Sequence, residues 1–475
     1  MILDIVPYTD SLCPTQQNHS VKTFIRFLEK KFGALFVTNL HNLAYENAAI
    51  ADIARLAQTL LQRGVIQAFF PVEQLVDEPK IKLWNCQMIP QNTGGVSVTS
   101  DEQALTAALA EALERHIWYS QTDYFTKPQK TSTAGIARVG NYIPPEAFVG
   151  YSDKQRQENP RFTLGRDAQY LWIEGRSLTS KKNIYLPAQV VSAALPLENS
   201  LKEPLIKQQT TIGLATWYTL EGARLAGALE VVEREAFMIM WYNQLTLPRV
   251  NLESLRNYDK NLDTLLERCA RYNLKVHAIP MMTDAPTHAV CVVVEDMSGK
   301  TQQFAFGLKA HRSMTRSIEG ATLEALRARR TTRNFFAHGG TWDPLTPIEN
   351  IGHFDRQYFW RIPENAKKLE FLVEGELLSY SFTSPWEHDT EAEHLARVIN
   401  WCKSNDFECV SVSLGKSKIN VSNWHIEVVV MPDLHPTHLY EKMQHLNPTR
   451  LTAVPLLFGY TPLATPHTKT PHPYT

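Results

Sequence analysis

The chain has 475 residues, 44% of them hydrophobic and 20% charged, and its formal net charge is −1. That is the make-up of an ordinary soluble globular protein with room for two or three lobes. The near-neutral balance gives no global basic field for nucleic acid or an anionic membrane surface. The six cysteines (Cys13, Cys86, Cys269, Cys291, Cys402 and Cys409) show no C-x-x-C pair and no zinc-like spacing. No run is apolar enough to span a bilayer, and MILDIVPYTD lacks the pattern of a signal peptide, so the expectation is a cytoplasmic protein with reduced thiols.

In chain order, SVKTFIRFLEKKFG (20–33) predicts an amphipathic helix and ALFVTNL a strand. AAIADIARLAQTLLQRG (48–64) predicts a helix ended by Gly64, and VIQAFFPV a further strand. Together residues 1–90 are expected to form an N-terminal α/β lobe. NTGGVSVTS (92–100) reads as a turn leading into an Ala- and Leu-rich helix, with Ser100 or Asp101 as N-cap. Residues 130–212 alternate short strands with polar loops, among them TAGIARVG, YLWIEGRSL and NIYLPAQVVSAAL. A second apolar helix follows from about Thr219 to Tyr242, then the polar helix NLDTLLERCARYN and strands KVHAIPM, AVCVVVEDM and QQFAFGLKA. A third helix is expected from about Ser317 to Thr332, and strands at KLEFLVEG, ECVSVSLG and NWHIEVVVMP. Residues 461–475, TPLATPHTKTPHPYT, are too proline-rich for a helix and predict an extended tail after a main domain over 91–460. The fold class is α/β (α+β), without a solenoid period.

Within the two apolar helices one pattern occurs twice, Glu-x-x-Glu-Arg. Glu111, Glu114 and Arg115 form the first copy; Glu230, Glu233 and Arg234 form the second. Carboxylates at i and i+3 project from one helix face, and an Arg four positions after the first can steady it. Ordinary Glu–Arg pairs on solvated faces are one reading. The flanks favour another, because carboxylates in buried helices are costly without a partner. Two such helices together would hold hard cations such as Mg2+, and with them a nucleotide phosphate.

Weaker signals surround these. SGKT (298–301) and LGKS (414–417) end like phosphate-binding loops but carry Val294 and Val410 where the first Gly belongs, so both read as strand-end turns. His435 and His438 in HPTH are expected in a solvated loop, a metal role being the alternative. Arg327, Arg329, Arg330 and Arg333 fall at a helix C-terminus, where the helix dipole or an anionic ligand accounts for them equally.

The order of these features resembles the YcaO family, and within it the azoline-forming cyclodehydratase D proteins. The likeness covers most of residues 90–475. It rests on the two Glu-x-x-Glu-Arg helices, the tract Trp172 to Leu178 with Leu186, Pro187 and Ala188 after it, and Trp241, Tyr242, Asn243 and Pro248. FGLKAH (306–311), GHFDRQY (352–358) and the closing AVPLLFG and PHPYT complete it. The resemblance implies an enzyme using ATP and Mg2+ to phosphorylate a backbone amide oxygen of a ribosomally made precursor peptide. A Cys, Ser or Thr side chain first attacks the carbonyl carbon, and the product is a thiazoline or oxazoline. By matching position it implies metal ligands at Glu111, Glu114, Glu230 and Glu233. It implies nucleotide contacts at Arg115, Arg234 and Glu324, and a tail that brings Pro471, His472, Pro473 and Tyr474 to the chemistry.

Four positions depart from the family's pattern. Trp217 and Tyr218 stand where it has Gly and a nucleotide-touching Asn; Gly222 replaces a metal-binding Glu, with Glu221 one residue early. Gly320 replaces an Arg. A shift of one residue turns a side chain by about 100° around a helix. Two function classes therefore stand side by side: the cyclodehydratase, and a YcaO-like chain that no longer turns over ATP and serves as scaffold for an active homologue. Expected partners are the precursor peptide, a separate leader-binding protein of winged-helix or ubiquitin-activating-like fold, and a second copy or second YcaO protein. FMIMWYNQL after the second Glu helix reads as core rather than dimer surface.

Overall fold

The computed structural model describes residues 48–89, 91–119, 129–165, 167–191, 203–299, 302–381, 384–414 and 424–474. The helix expected at 20–33 and the strand ALFVTNL lie outside the described residues. Helix α1 (Ala48–Gln62) is followed by an antiparallel sheet in the order β1 (Ala68–Pro71), β2 (Lys82–Gln87), β3 (Thr93–Ser97). NTGGVSVTS is thus a strand and not a turn, with Trp84 opposite Gly95 and Cys86 opposite Thr93. The sheet spans the boundary placed at residue 90. Glycine in this strand has a packing reason. Helix α2 (Asp101–Tyr119) lies so close that a Cβ on Gly95 would sit 1.9 Å from the Ala104 carbonyl oxygen. Ser100 is the N-cap, accepting from the Gln103 amide at 3.1 Å.

A six-stranded sheet follows, in the order β4-β5-β13-β14-β7 with β6 paired to β5, where β13 is Val410–Ser413 and β14 is His425–Val430. Its first members are β4 (Gln129–Ser132), β5 (Gln169–Ser177), β6 (Asn183–Pro187) and β7 (Leu214–Trp217). TAGIARVG does not extend it, because Ser132 caps a short helical turn over Thr133–Ile136. Helix α3 (Leu220–Tyr242) leaves β7 with Thr219 as N-cap. A two-residue parallel pair joins β8 (Arg249–Val250) to a later segment, and helix α4 (Lys260–Arg271) is capped by Asp259. Strands β9 (Leu274–Pro280), β10 (His288–Asp296) and β11 (Phe304–His311) form an antiparallel meander covered by helix α5 (Met314–Ala337).

KLEFLVEG is not a strand. Residues Lys367–Val373 wind as a 3-10 helix, whose three-residue turn buries Leu369 and Leu372 together. Then come β12 (Leu377–Leu378, the partner of β8), helix α6 (Glu391–Ser404), β13 (Val410–Ser413), β14 (His425–Val430) and helix α7 (Pro448–Leu457).

Helix α3 is the centre of the molecule. It packs on β14 from one side and β11 from the other, and its run Ala236 to Tyr242 is at most 1% exposed. A helix that is apolar on every side belongs between layers. FMIMWY is therefore core, as expected, and offers no dimer surface. Among the described residues no helix is long and apolar enough to cross a membrane.

Candidate active site

Three times the chain runs from strand into helix, and each time a glutamate ten residues after the helix start reaches back to its own strand or, at Gly213, to the residue just before it. Glu111 stands ten after Asp101, Glu230 ten after Leu220 and Glu324 ten after Met314. Glu111 Oε2 accepts the Gly94 amide at 3.0 Å, Glu230 Oε2 the Gly213 amide at 3.0 Å, and Glu324 Oε2 the Leu308 amide at 2.7 Å. The tether fixes one carboxylate oxygen by a charge-assisted bond. The other oxygen, Oε1, is then held where Arg115, Arg234 and Tyr474 meet it, at 3.6, 3.2 and 2.8 Å respectively.

Glu233 ties α3 to the meander. Its Oε2 accepts the Ala310 amide at 2.5 Å and its Oε1 pairs with Arg234. Glu114 lies 3.9 Å from Arg115 Nη1, and Arg327 comes within 3.6 Å of Glu111. The first and second helices feel each other's charge. Burial pushes the Glu114 carboxyl up to about 8; Arg115 pulls it down, and Glu230 and Glu111 raise it further. Burial raises Glu324 too, against the pull of Arg234 and with the push of Glu233. All seven Glu and Arg residues singled out from the sequence thus belong to one cage.

Five carboxylates (Glu111, Glu114, Glu230, Glu233 and Glu324) face three guanidinium groups there, so oxygen donors and negative charge are in excess, which is what a hard divalent cation needs. Arg115 adds the complementary feature. Its buried Nε and Nη1 make no hydrogen bond among the described residues, leaving donors free for a phosphate oxygen. The residues fit both Mg2+ and a nucleotide phosphate.

The tail reaches this cage. Pro471, His472, Pro473 and Tyr474 are buried. The Tyr474 hydroxyl donates to Glu324 Oε1 at 2.8 Å, and its ring lies 4.3 Å beneath the Arg234 guanidinium. HPTH is not a solvated loop, since His435 and His438 are each 1% exposed. It is packed against α3, where the His435 amide donates to Glu235 Oε1 at 2.8 Å, and against His472 from the tail. Glu235 escaped the sequence reading. It points away from the cage and takes Arg450 through Nε and Nη2 at 2.9 and 2.8 Å. The arginine run on α5 is also reassigned: Arg329 and Arg333 reach Glu78 at 3.0 and 2.8 Å, and Arg329 reaches Asp296 at 2.7 Å. These bonds pin α5 to the connection between β1 and β2 and to the end of β10. Of the phosphate-loop look-alikes, Lys300, Thr301 and residues 415–417 lie outside the described residues.

The departures have their own geometry. Trp217 donates from its indole to Glu391 at 2.9 Å, and a Cβ on Gly222 would lie 2.0 Å from Trp217 Cδ1. The indole occupies the space a side chain at 222 would need. Tyr218 packs on Trp424 with ring centroids 4.3 Å apart, and Lys309 lies over Gly320. Trp217, Tyr218 and Gly222 sit at the mouth of α3, about two turns or more before Glu230, whereas Gly320 lies within α5, one turn before Glu324.

With this geometry the comparisons agree. The family described as YcaO cyclodehydratase, ATP- and Mg2+-binding, matches residues 97–435. The chain belongs to the YcaO family. No curated protein matches it. Among solved structures it is similar to a heterocyclase in complex with substrate and cofactor, at 20% identity and a TM-score of 0.69, covering 88% of this chain and 57% of that one. The YcaO protein of Methanopyrus kandleri bound with AMPPCP and Mg2+ is similar at 18% identity, TM-score 0.56, covering 81% and 90%. The Escherichia coli microcin synthetase McbBCD complex with pro-MccB17 bound gives 14% identity, TM-score 0.55, covering 77% and 88%. The chain spans about half the length of the heterocyclase chains, 57% in the first case and 50% for the heterocyclase TruD.

Proposed function

We propose that this chain is an ATP- and Mg2+-dependent cyclodehydratase that activates backbone amides of a ribosomal precursor peptide and closes thiazoline or oxazoline rings. The observation that carries the reading is the set of strand-tethered glutamates facing the unsatisfied nitrogens of Arg115. Glu111, Glu114, Glu230, Glu233 and Glu324 would hold the cations, and Arg115 and Arg234 the phosphate oxygens. When bound, Mg2+ and ATP supply the phosphoryl group and the positive charge that screens it.

What the chain itself does follows from its packing. The amide tethers fix one oxygen each of Glu111, Glu230, Glu233 and Glu324, so these carboxylates need little reorientation on binding. The ring of Tyr474 covers Arg234 and excludes water there, and its hydroxyl holds a proton at Glu324 Oε1. Pro471 to Pro473 bring it to that place. A cavity of about 30 Å3 lies beside Arg234, between Lys207, Val231, His435 and Thr437, room for a water rather than a peptide amide. The scaffold reading is weaker, because the changes at Trp217, Tyr218, Gly222 and Gly320 leave all five cage carboxylates in place.

A peptide substrate and a partner protein go with this reading, as pro-MccB17 and the other subunits do in the microcin synthetase complex. A separate leader-binding protein and pairing of two YcaO chains complete the proposal. Calorimetry with AMPPCP and Mg2+ tests it: saturable binding that Glu111→Gln weakens at least 10-fold supports it, and no binding to the intact chain overturns it.

A further inference from the structure

Behind the cage, where the tail crosses the body, three ligating side chains converge that nucleotide chemistry does not use. His438 and Glu441 follow β14, and His472 comes from the tail; one ligand atom from each lies within 4.8 Å of the other two. All three are enclosed, His438 and His472 at 1% exposure and Glu441 at 5%. His438 Nε2 stands 3.1 Å from Glu441 Oε2, close to the separation of about 3.4 Å that ligand atoms take around a tetrahedral ion with bonds near 2.1 Å.

The remaining ring atoms are arranged as metal-binding imidazoles require. His472 Nε2 donates to the His438 carbonyl at 3.2 Å, which in the neutral ring leaves a lone pair on Nδ1. That nitrogen is buried and has no hydrogen-bond partner among the described residues. His438 is held from its other nitrogen, Nδ1, by the Tyr242 hydroxyl at 3.3 Å. Glu441 is oriented by Arg356, which donates to Oε1 at 2.9 Å, and by Gln444, which donates to Oε2 at 2.9 Å. Outer contacts of this kind fix the tautomer and direction of a metal-binding imidazole or carboxylate.

We propose that His438 Nε2, His472 Nδ1 and Glu441 Oε2 bind one borderline divalent cation of the Zn2+ type, distinct from the Mg2+ of the cage. The ion takes the place of the Nε2 proton between His438 and Glu441, and that proton moves to Nδ1, where it donates to the Tyr242 hydroxyl. Two imidazoles and a carboxylate suit zinc better than magnesium, and a water completes four-coordination. The enclosed position makes it a clasp: it fastens His472, and with it Tyr474 two residues on, to the body.

The inference does not rest on the nucleotide reading, and its test reads metal rather than turnover. Full-length protein from zinc-supplemented culture is dialysed and its metal content measured by atomic emission, and chelator-stripped protein is titrated with ZnCl2 by calorimetry. Roughly one zinc per chain and a single-site isotherm are expected, with at least a 10-fold weaker isotherm for His472→Ala and for His438→Ala and an unchanged one for Glu230→Gln. His472→Ala changes only the tail and is checked by circular dichroism. Stripped wild-type protein that takes up no zinc while folded overturns the proposal without any variant. Zinc that both histidine variants keep, or that Glu230→Gln loses, overturns it as well.

Discussion

At Glu111 and Glu230 the same side chain does two jobs, one oxygen fixed by a backbone amide, of Gly94 or Gly213, and the other turned to Arg115 or Arg234. A glutamine keeps an oxygen for the amide but removes the charge. Glu111→Gln and Glu230→Gln are therefore expected to lower peptide-dependent phosphate release by at least 100-fold, while the melting temperature shifts by only a few degrees. Release at the normal rate in either variant takes these helices out of the reaction. Glu114 gives a pH signature. Its carboxyl binds a proton more tightly folded, at about 8, than unfolded, near 4.5. Between those values the native state carries the extra proton, so apo-protein stability falls as pH rises through that window. Melting temperatures from pH 5 to 8.5 should decline less for Glu114→Gln than for wild type; parallel curves would refute the assignment. The carboxylates and arginines were legible because i, i+3 spacing survives in one dimension. Glu235 was not, since its partner Arg450 is 215 residues away, and His435 and His438 looked solvated because a short polar loop gives no sign of the tail that covers it.

Repetition is clearest at the level of the element. The β3–α2, β7–α3 and β11–α5 units share a helix laid directly on its strand, and where the strand residue is glycine the contact is close: a Cβ on Gly307 would lie 2.0 Å from the Ala321 carbonyl oxygen. Helices α1 to α5 could be placed from periodicity and capping residues. NTGGVSVTS and KLEFLVEG were misassigned for opposite reasons, a glycine pair that serves packing in one and a turn of three rather than alternation of two in the other. The β7–α3 junction yields a sharp test. Gly→Ala inside a helix ordinarily stabilises by about 1 kcal/mol. At Gly222 the new Cβ meets Trp217 at 2.0 Å, so Gly222→Ala should destabilise by about 1–3 kcal/mol in urea titration. Trp217→Ala in the same chain should recover most of that loss; additive effects of the two would show that the indole is not what forbids a side chain there.

For the whole molecule the question is what the tail is for. An extended, proline-rich terminus is usually a frayed end. Here His472 packs against Phe237 and His438, and Tyr474 against Phe237 and Arg234, so the last residues close the core as well as the cage. Deleting residues 471–475 should consequently lower stability by about 3 kcal/mol or more, in the range of losing a buried aromatic, along with turnover. Such a deletion cannot separate the two roles. Tyr474→Phe can, because it keeps the ring beneath Arg234 and removes only the hydroxyl that donates to Glu324 at 2.8 Å. Losing one hydrogen bond to a carboxylate costs about 1.5–3 kcal/mol at most, a shift of a few degrees in a chain of this size. If the tail positions a proton at Glu324 for the reaction, turnover of precursor peptide at saturating ATP and Mg2+ falls at least 10-fold in Tyr474→Phe, a loss of about 1.4 kcal/mol in barrier height. Its apparent affinity for AMPPCP without Mg2+ should stay within a factor of about three of wild type, since the guanidinium and its ring cover are intact. Full turnover by Tyr474→Phe, with the deletion inactive and unstable, would reduce the tail to a structural plug over the cage.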